Sequence, residues 1–106
     1  MARAHLERLG FRVIARNVHL RHAELDLVAL EGPTLCFIEV RLRSSDRFGS
    51  AAASVDARKQ QRIRRAAAEF LSTHQVPRHR AVRFDVVAID LQEESPIRVI
   101  RDAFQR

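Results

Sequence analysis

Two apolar stretches of this chain carry charges in their interiors: Glu24-Leu25-Asp26, and Glu39-Val40-Arg41, with Glu39 thirteen residues after Asp26. Charged side chains inside apolar strands are costly unless they are paired or bound to a metal. Several of them on neighbouring strands mark a candidate active site. Strand alternation puts residues i and i+2 on one face, so Glu24 is expected to point with Asp26, and Glu39 with Arg41. If the two runs pair as a hairpin, three carboxylates and a cation converge. That set suits a hard divalent cation, Mg2+ or Mn2+, which takes carboxylate and carbonyl oxygens and keeps several waters. Such an ion polarises a phosphodiester and lowers the pKa of an attacking water, and a nearby cation stabilises the developing negative charge. The same charges would also serve as a cross-strand salt bridge. Spacing alone leaves both readings open.

The elements that would position these residues can be read in order. Residues 2–9 read as a short helix, with Leu6 and Leu9 on one face and Gly10 as its stop. Residues 11–20 read as a strand that opens apolar and turns polar at Arg16-Asn17, and residues 23–30 as a second. Gly32-Pro33 is a turn joining it to a third strand over residues 35–42, a hairpin. Residues 43–54 form a polar loop with Gly49 and serines that include Ser44, Ser45 and Ser50, the best candidate for a substrate-facing segment. Asp56 would cap a helix running to about His74, whose apolar stripe is Ile63, Ala66, Ala67, Phe70 and Leu71. Residues 83–91 read as a fourth strand and residues 97–100 as a short fifth, followed by a polar tail. The near-continuous apolar runs imply strands covered on both faces. The expectation is an α/β fold over residues 1–106 as one domain: a central mixed five-stranded sheet flanked by helices.

Bulk properties narrow the function. At 106 residues and 46% hydrophobic content the chain has one modest core and is too apolar for disorder. No apolar run reaches the roughly 20 residues of a membrane span, and the N-terminus lacks a signal-peptide core. The single cysteine, Cys36, lies in an apolar run and is expected to be a buried, inert thiol of a cytoplasmic protein. A net charge of +6 favours a polyanionic partner, of which nucleic acid is the commonest. The five histidines show no zinc-ligand spacing. Without Trp or Tyr there is no evident platform for stacking bases. Arg58, Arg62 and Arg65 share one face of the main helix. With Arg43 and Arg47 from the loop they would contact phosphates without reading sequence, or form a solvated face.

The order and spacing of several short blocks resemble a known family. Asp26 followed by Glu39-Val40-Arg41 resembles the PD-(D/E)xK signature of the restriction-endonuclease-like superfamily. More closely, the chain is similar to the YraN-like family of predicted bacterial nucleases. The similarity runs through His5-Leu6-Glu7-Arg8-Leu9-Gly10-Phe11, Ala15-Arg16-Asn17, Ala23-Glu24-Leu25-Asp26-Leu27-Val28 and Phe37-Ile38-Glu39-Val40-Arg41-Leu42-Arg43. It continues through Phe48-Gly49, Lys59, Arg83-Phe84-Asp85-Val86-Val87 and Ala103-Phe104. The resemblance implies a nuclease-like fold in which Asp26 and Glu39 are ligands of Mg2+ or Mn2+. The Val40 carbonyl would be a third ligand and Glu24 an accessory carboxylate. It implies DNA as partner, branched DNA by similarity to the superfamily's Holliday-junction resolvases, and a homodimer by the same similarity.

Three departures from the family pattern bear on this. The superfamily's lysine falls on position 41, which here is arginine, a group that stays protonated and serves charge stabilisation rather than proton transfer. Ala23 stands where the family has glycine. The family's Gly-x-x-Gly-Glu stretch does not precede Met1, so either its glutamate is missing as a ligand or the start lies upstream. Lys59 offsets the first departure. It is the single lysine among 19 basic residues, and its helical spacing sets it with Ile63, Ala66 and Phe70 on the inward stripe. Members of the superfamily can carry the working lysine on this helix; a lysine whose stem covers the core edge is the alternative. Asp85 would help order cationic side chains near the site, or act as a strand-end ion-pair partner. The leading expectation is therefore a metal-dependent nuclease with Asp26, Glu39, Arg41 and Lys59 at its centre. Its rival is a nucleic-acid-binding module that has kept the nuclease fold.

Overall fold

Apolar alternation builds five strands into one mixed sheet in the computed structural model, which describes residues 2–21, 23–43, 55–91, 94 and 96–105. The elements run α1 (Ala2–Arg8), β1 (Arg12–His19), β2 (Glu24–Glu31), β3 (Thr34–Arg43), α2 (Ala57–Thr73), β4 (Ala81–Asp90) and β5 (Ile97–Phe104). Spatial order follows chain order, β1-β2-β3-β4-β5. Among the described residues only β3 and β4 pair in parallel, and α2 lies in the connection between them, as a parallel pair requires. This is the expected α/β architecture with a five-stranded mixed sheet and two helices, compatible with a restriction-endonuclease-like fold. Among the described residues no helix is long and apolar enough to cross a membrane.

The β2–β3 hairpin closes where the sequence turns. Glu31 pairs with Thr34 across Gly32-Pro33, and Gly32 takes a positive φ of 57° that suits glycine. At the start of α2, Asp56 accepts a hydrogen bond from the Lys59 main-chain N–H at 2.9 Å. This cap fixes the first turn and with it the direction of the lysine side chain.

Each face of the sheet has its own core. Ile63, Ala66, Ala67 and Phe70 of α2 pack on Val28, Leu30, Leu35, Phe37, Phe84 and Val86. The Phe37 ring meets Phe70 edge-on at 6.0 Å and stacks with Phe84 at 5.7 Å. On the opposite face Leu6 and Phe11 cover Leu27, Ala29, Cys36, Ile38, Val87 and Ile89. Cys36 is fully buried, and burial pushes its thiol pKa up to about 12, which keeps it protonated and unreactive.

The fifth strand is longer than the sequence suggests. It continues past Ile100 to Phe104, whose buried ring stacks on Phe84 at 5.1 Å. An irregularity between Phe84 and Val86 breaks the alternation there, and Asp102 adopts a positive φ of 54°. The exposed Arg101 and Asp102 at this bulge give the strand the look of a polar tail.

The bulge is held by a charged network on the α1 face. Arg83 donates to both oxygens of the fully buried Asp85, at 2.8 and 2.9 Å, and the Asp102 N–H donates to Asp85 Oδ1 at 2.9 Å. Glu31 accepts from Arg83 and from Arg101, each at 2.7 Å. The Arg101 hydrogen bonds, helped by Arg83, hold the Glu31 carboxyl at about 2 against its ordinary 4.5, although partial burial pulls the other way. A depressed carboxyl stabilises the fold above the unfolded-state pKa and loses that contribution as pH falls through the folded one. Glu31→Gln should therefore flatten the acid limb of stability between pH 4.5 and about 2. Urea midpoints measured against pH check this; a limb as steep as in the wild type would show that Glu31 does not supply it.

Candidate active site

The site begins where the sheet splits. The β2–β3 ladder runs from Glu31↔Thr34 to Leu27↔Ile38 and then stops. Beyond that point β2 stays with β1 as far as His19↔Glu24, while β3 stays with β4 as far as Arg43↔Asp90. Two more steps of the same register would bring the Val40 main chain opposite Leu25. Instead the Val40 N–H donates to Asp26 Oδ2 at 2.9 Å. The aspartate side chain thus takes over a ladder bond and pins the two diverging strands at the root of the split.

A main-chain irregularity coincides with this point. Asn17, flanked by the pairs Arg16↔Leu27 and Val18↔Leu25, lies across from Asp26 and has a positive φ of 51°. Asparagine is among the few side chains that tolerate this conformation. Leu27 packs in the α1-side core and Leu25 in the α2-side core, although they are two residues apart. Strict alternation therefore fails at Asp26, although Glu24 and Asp26 both line one cavity.

Asp26 and Glu39 do come together. The register carries Glu39 across from Asp26, and the negative charge of Asp26 is one of the influences raising the Glu39 pKa. The largest of these influences is burial; the Lys59 hydrogen bond opposes it. Lys59 Nζ lies 2.9 Å from Glu39 Oε1, and Arg41 Nη1 lies 3.8 Å from the same oxygen. The four residues expected at the centre thus meet around one buried carboxylate. With Glu24, Arg62, Ala23 and Ile63, the residues Asp26, Glu39 and Lys59 line a polar cavity of about 310 Å³.

Glu24 is placed differently from Asp26. It lines the cavity, but its carboxylate lies 3.5 Å from His19 Nδ1 across the β1–β2 ladder, and it is half-exposed. Three carboxylates do not close on one point. Among the described residues no group of three or more His, Cys, Asp or Glu could hold a metal ion together.

A divalent cation nevertheless suits the donors present. Three carboxylates line one cavity, and Glu39, buried beside Asp26, is already matched by an ammonium. In an extended strand the N–H and C=O of one residue point to the same side, so the Val40 carbonyl faces the split with its N–H. Asp26, Glu39 and that carbonyl would offer Mg2+ or Mn2+ three oxygen donors, with water in the remaining positions.

The basic candidates separate. Arg62 lines the cavity, while Arg58 and Arg65 are exposed on α2. Arg47 lies outside the described residues, and of Arg43 only the main chain is described, as the last residue of β3. Asp85 is away from the site. It pairs with Ile38, one position before Glu39, and its side chain emerges on the α1 face. Its role is the structural one of holding Arg83 and the β5 bulge.

Sequence reasoning did not single out a second group of residues. Arg3, Arg16 and Asn17, with Asp26, Leu27, Val40 and Ala2, line a wider cavity of about 420 Å³. The one available signal is the polar turn of β1 at Arg16-Asn17, where a strand gives up apolar alternation as it passes Asp26.

Comparison with known proteins places the chain. The profile of the uncharacterised protein family UPF0102 matches residues 1–89. The chain belongs to this family. A UPF0102 protein of Xanthomonas euvesicatoria is 49% identical over 105 residues, 98% of this chain and 84% of that protein. One of Halorhodospira halophila is 45% identical over 104 residues, covering 98% and 80% respectively. One of Syntrophus aciditrophicus is 40% identical over 106 residues, covering 99% and 83%. The YraN-like resemblance read from the sequence is this UPF0102 membership, and it extends over nearly the whole chain.

Proposed function

We propose that this UPF0102 protein is a nucleic-acid-binding, metal-dependent endonuclease that hydrolyses phosphodiester bonds. The observation that carries the reading is the junction of Asp26, Glu39 and Lys59 where β2 and β3 part, in an open polar cavity. A buried carboxylate set beside a second one, as Glu39 is beside Asp26, costs stability unless it serves something. A net charge of +6 supports a polyanionic substrate. DNA is the proposed partner, with branched DNA the first structure to try, in the cytoplasm and as a homodimer.

Bound there, Mg2+ or Mn2+ would lower the pKa of an attacking water and polarise the phosphorus centre. Asp26 and Glu39 would hold the ion, with the Val40 carbonyl as third oxygen. Asp26 is itself oriented by the Val40 N–H, so the acceptor geometry is set before substrate arrives. Lys59, reaching Glu39 at 2.9 Å, would orient the attacking water or meet the charge on the phosphate oxygens. Arg41, at 3.8 Å, would stabilise charge and hold no role in proton transfer. Arg62 at the cavity, with Arg58, Arg43 and Arg47, would contact the phosphate backbone without reading bases.

The rival is a binding module with the same fold and impaired catalysis, favoured by arginine at position 41. Cleavage of duplex, single-stranded, flapped and four-way-junction DNA, and of RNA, in Mg2+, Mn2+ or EDTA separates the two. Metal-dependent cutting establishes the nuclease; salt-sensitive binding without cutting establishes the module. The shorter contact to Glu39 also ranks the cations. Lys59→Ala should lower the cleavage rate on the order of 10²-fold, the scale of one positioned catalytic group, and Arg41→Ala less. Single-turnover rates decide, and equal negligible losses would make both residues structural.

A further inference from the structure

The two cavities at the split open on opposite faces of the sheet and share Asp26 among their lining residues. One holds Glu39 and Lys59 on the α2 side; the other holds Arg3, Arg16 and Asn17 on the α1 side. Arg16 pairs with Leu27, and Leu27 packs on the α1 face, so its side chain leaves the sheet on that face beside the split. It is exposed, and no acidic partner among the described residues neutralises it. Arg3 is half-exposed and shares a 3.3 Å contact with Glu7. Asn17 lies across from Asp26, and its positive φ turns the main chain at the cavity wall. A guanidinium without an ion-pair partner among the described residues, a second guanidinium and an amide, set around an open cavity that Asp26 also lines, form a candidate anion-binding surface.

We propose that Arg16 and Asn17, with Arg3, form a second phosphate subsite, which takes the phosphate next to the one held at Asp26 and Glu39. The nucleic-acid strand then crosses the notch between β2 and β3, from the α2 face to the α1 face. This deepens the hydrolytic reading and rests on it for the identity of the first phosphate. Its chemistry commits the substrate class: a strand carrying consecutive phosphodiesters, not a mononucleotide or a small phosphate ester. The contacts go to phosphate oxygens, so the subsite adds affinity and register without sequence preference.

The test is equilibrium binding in EDTA, where no cleavage intervenes, read by fluorescence anisotropy. The probes are a short fluorescein-labelled DNA strand and the duplex made from it, titrated over a range of salt. Arg16→Ala should weaken binding roughly ten-fold and lower the slope of log K against log salt by about one, the loss of one phosphate contact. Arg16→Lys should recover the slope, because it restores the charge. Asn17→Gly, which tolerates the positive φ, should weaken binding a few-fold and leave the slope unchanged. Arg78→Ala removes an exposed arginine from the segment before β4 and controls for total charge. An Arg16→Ala effect no larger than that of Arg78→Ala would overturn the subsite, as would wild-type protein that binds neither probe. Cleavage by the same variants in Mg2+ separates the two readings. Cleavage with an unaltered KM in Arg16→Ala would sink the subsite and leave the hydrolase standing. The predicted loss of binding in a protein that does not cut would sink the hydrolase and leave the subsite standing.

Discussion

Replacing Asp26 with asparagine should abolish metal-dependent cleavage, with a rate loss of roughly 10³-fold or more, about 4 kcal/mol of transition-state stabilisation, while the fold survives. The side chain does two separable things. Its Oδ2 accepts the Val40 N–H and pins the strands at the root of the split. Its charge lies beside Glu39 in the cavity. Asparagine keeps a carbonyl oxygen for the first task and removes the charge needed for the second. Stability should therefore stay within about 1 kcal/mol of the wild type, the worth of a single ordinary hydrogen bond. Calorimetric titration with Mn2+ gives a readout apart from catalysis: the variant should bind at least ten-fold more weakly. Wild-type cleavage by Asp26→Asn would remove this centre from consideration, whatever the fate of the fold.

The largest stability effect is expected at Asp85. Its fully buried carboxylate accepts two bonds from Arg83 and one from the Asp102 main chain. Asp85→Ala leaves the Arg83 guanidinium with Glu31 alone and the Asp102 N–H without its acceptor. Breaking a buried ion pair by removing one partner typically costs about 3–5 kcal/mol, a large share of the roughly 5–15 kcal/mol that holds a domain together. Asp85→Asn keeps an acceptor for Asp102 and should fall between the alanine variant and the wild type. Urea unfolding measures both. A loss below about 1 kcal/mol for Asp85→Ala would mean that the pair is solvated or replaced by rearrangement. Metal binding at the split should be unaffected in whatever fraction stays folded, because Asp85 emerges on the opposite face from Glu39.

Local chemistry made much of this legible in the sequence. Gly32-Pro33 between two apolar runs announces the hairpin that sets the Asp26–Glu39 register. Asp56 announces the start of α2, and helical spacing from Ile63 and Phe70 places Lys59 inward, where it meets Glu39. Long-range register was not legible. The ladder ends at Leu27↔Ile38 because of a side-chain bond and a positive φ on the neighbouring strand, neither of which period-two alternation encodes. The exchange of faces between Leu25 and Leu27 and the engagement of Glu24 by His19 follow from that break. The face of Asp85 depends on how β4 aligns with β3 after the α2 crossover, an alignment with no local signature. At Phe104 the bulge masks an aromatic core residue as part of a polar tail.

Arg41 on β3 and Lys59 on α2 approach a single oxygen of Glu39 from different elements. A cation beside that oxygen can therefore come from the strand or from the helix. A lineage can gain a helix lysine while the strand position still carries one, and later let the strand position drift to arginine. At no step does the chain lack an ammonium beside that oxygen. Under the proposed function, the single lysine of the chain would keep an ammonium beside that oxygen while position 41 carries arginine.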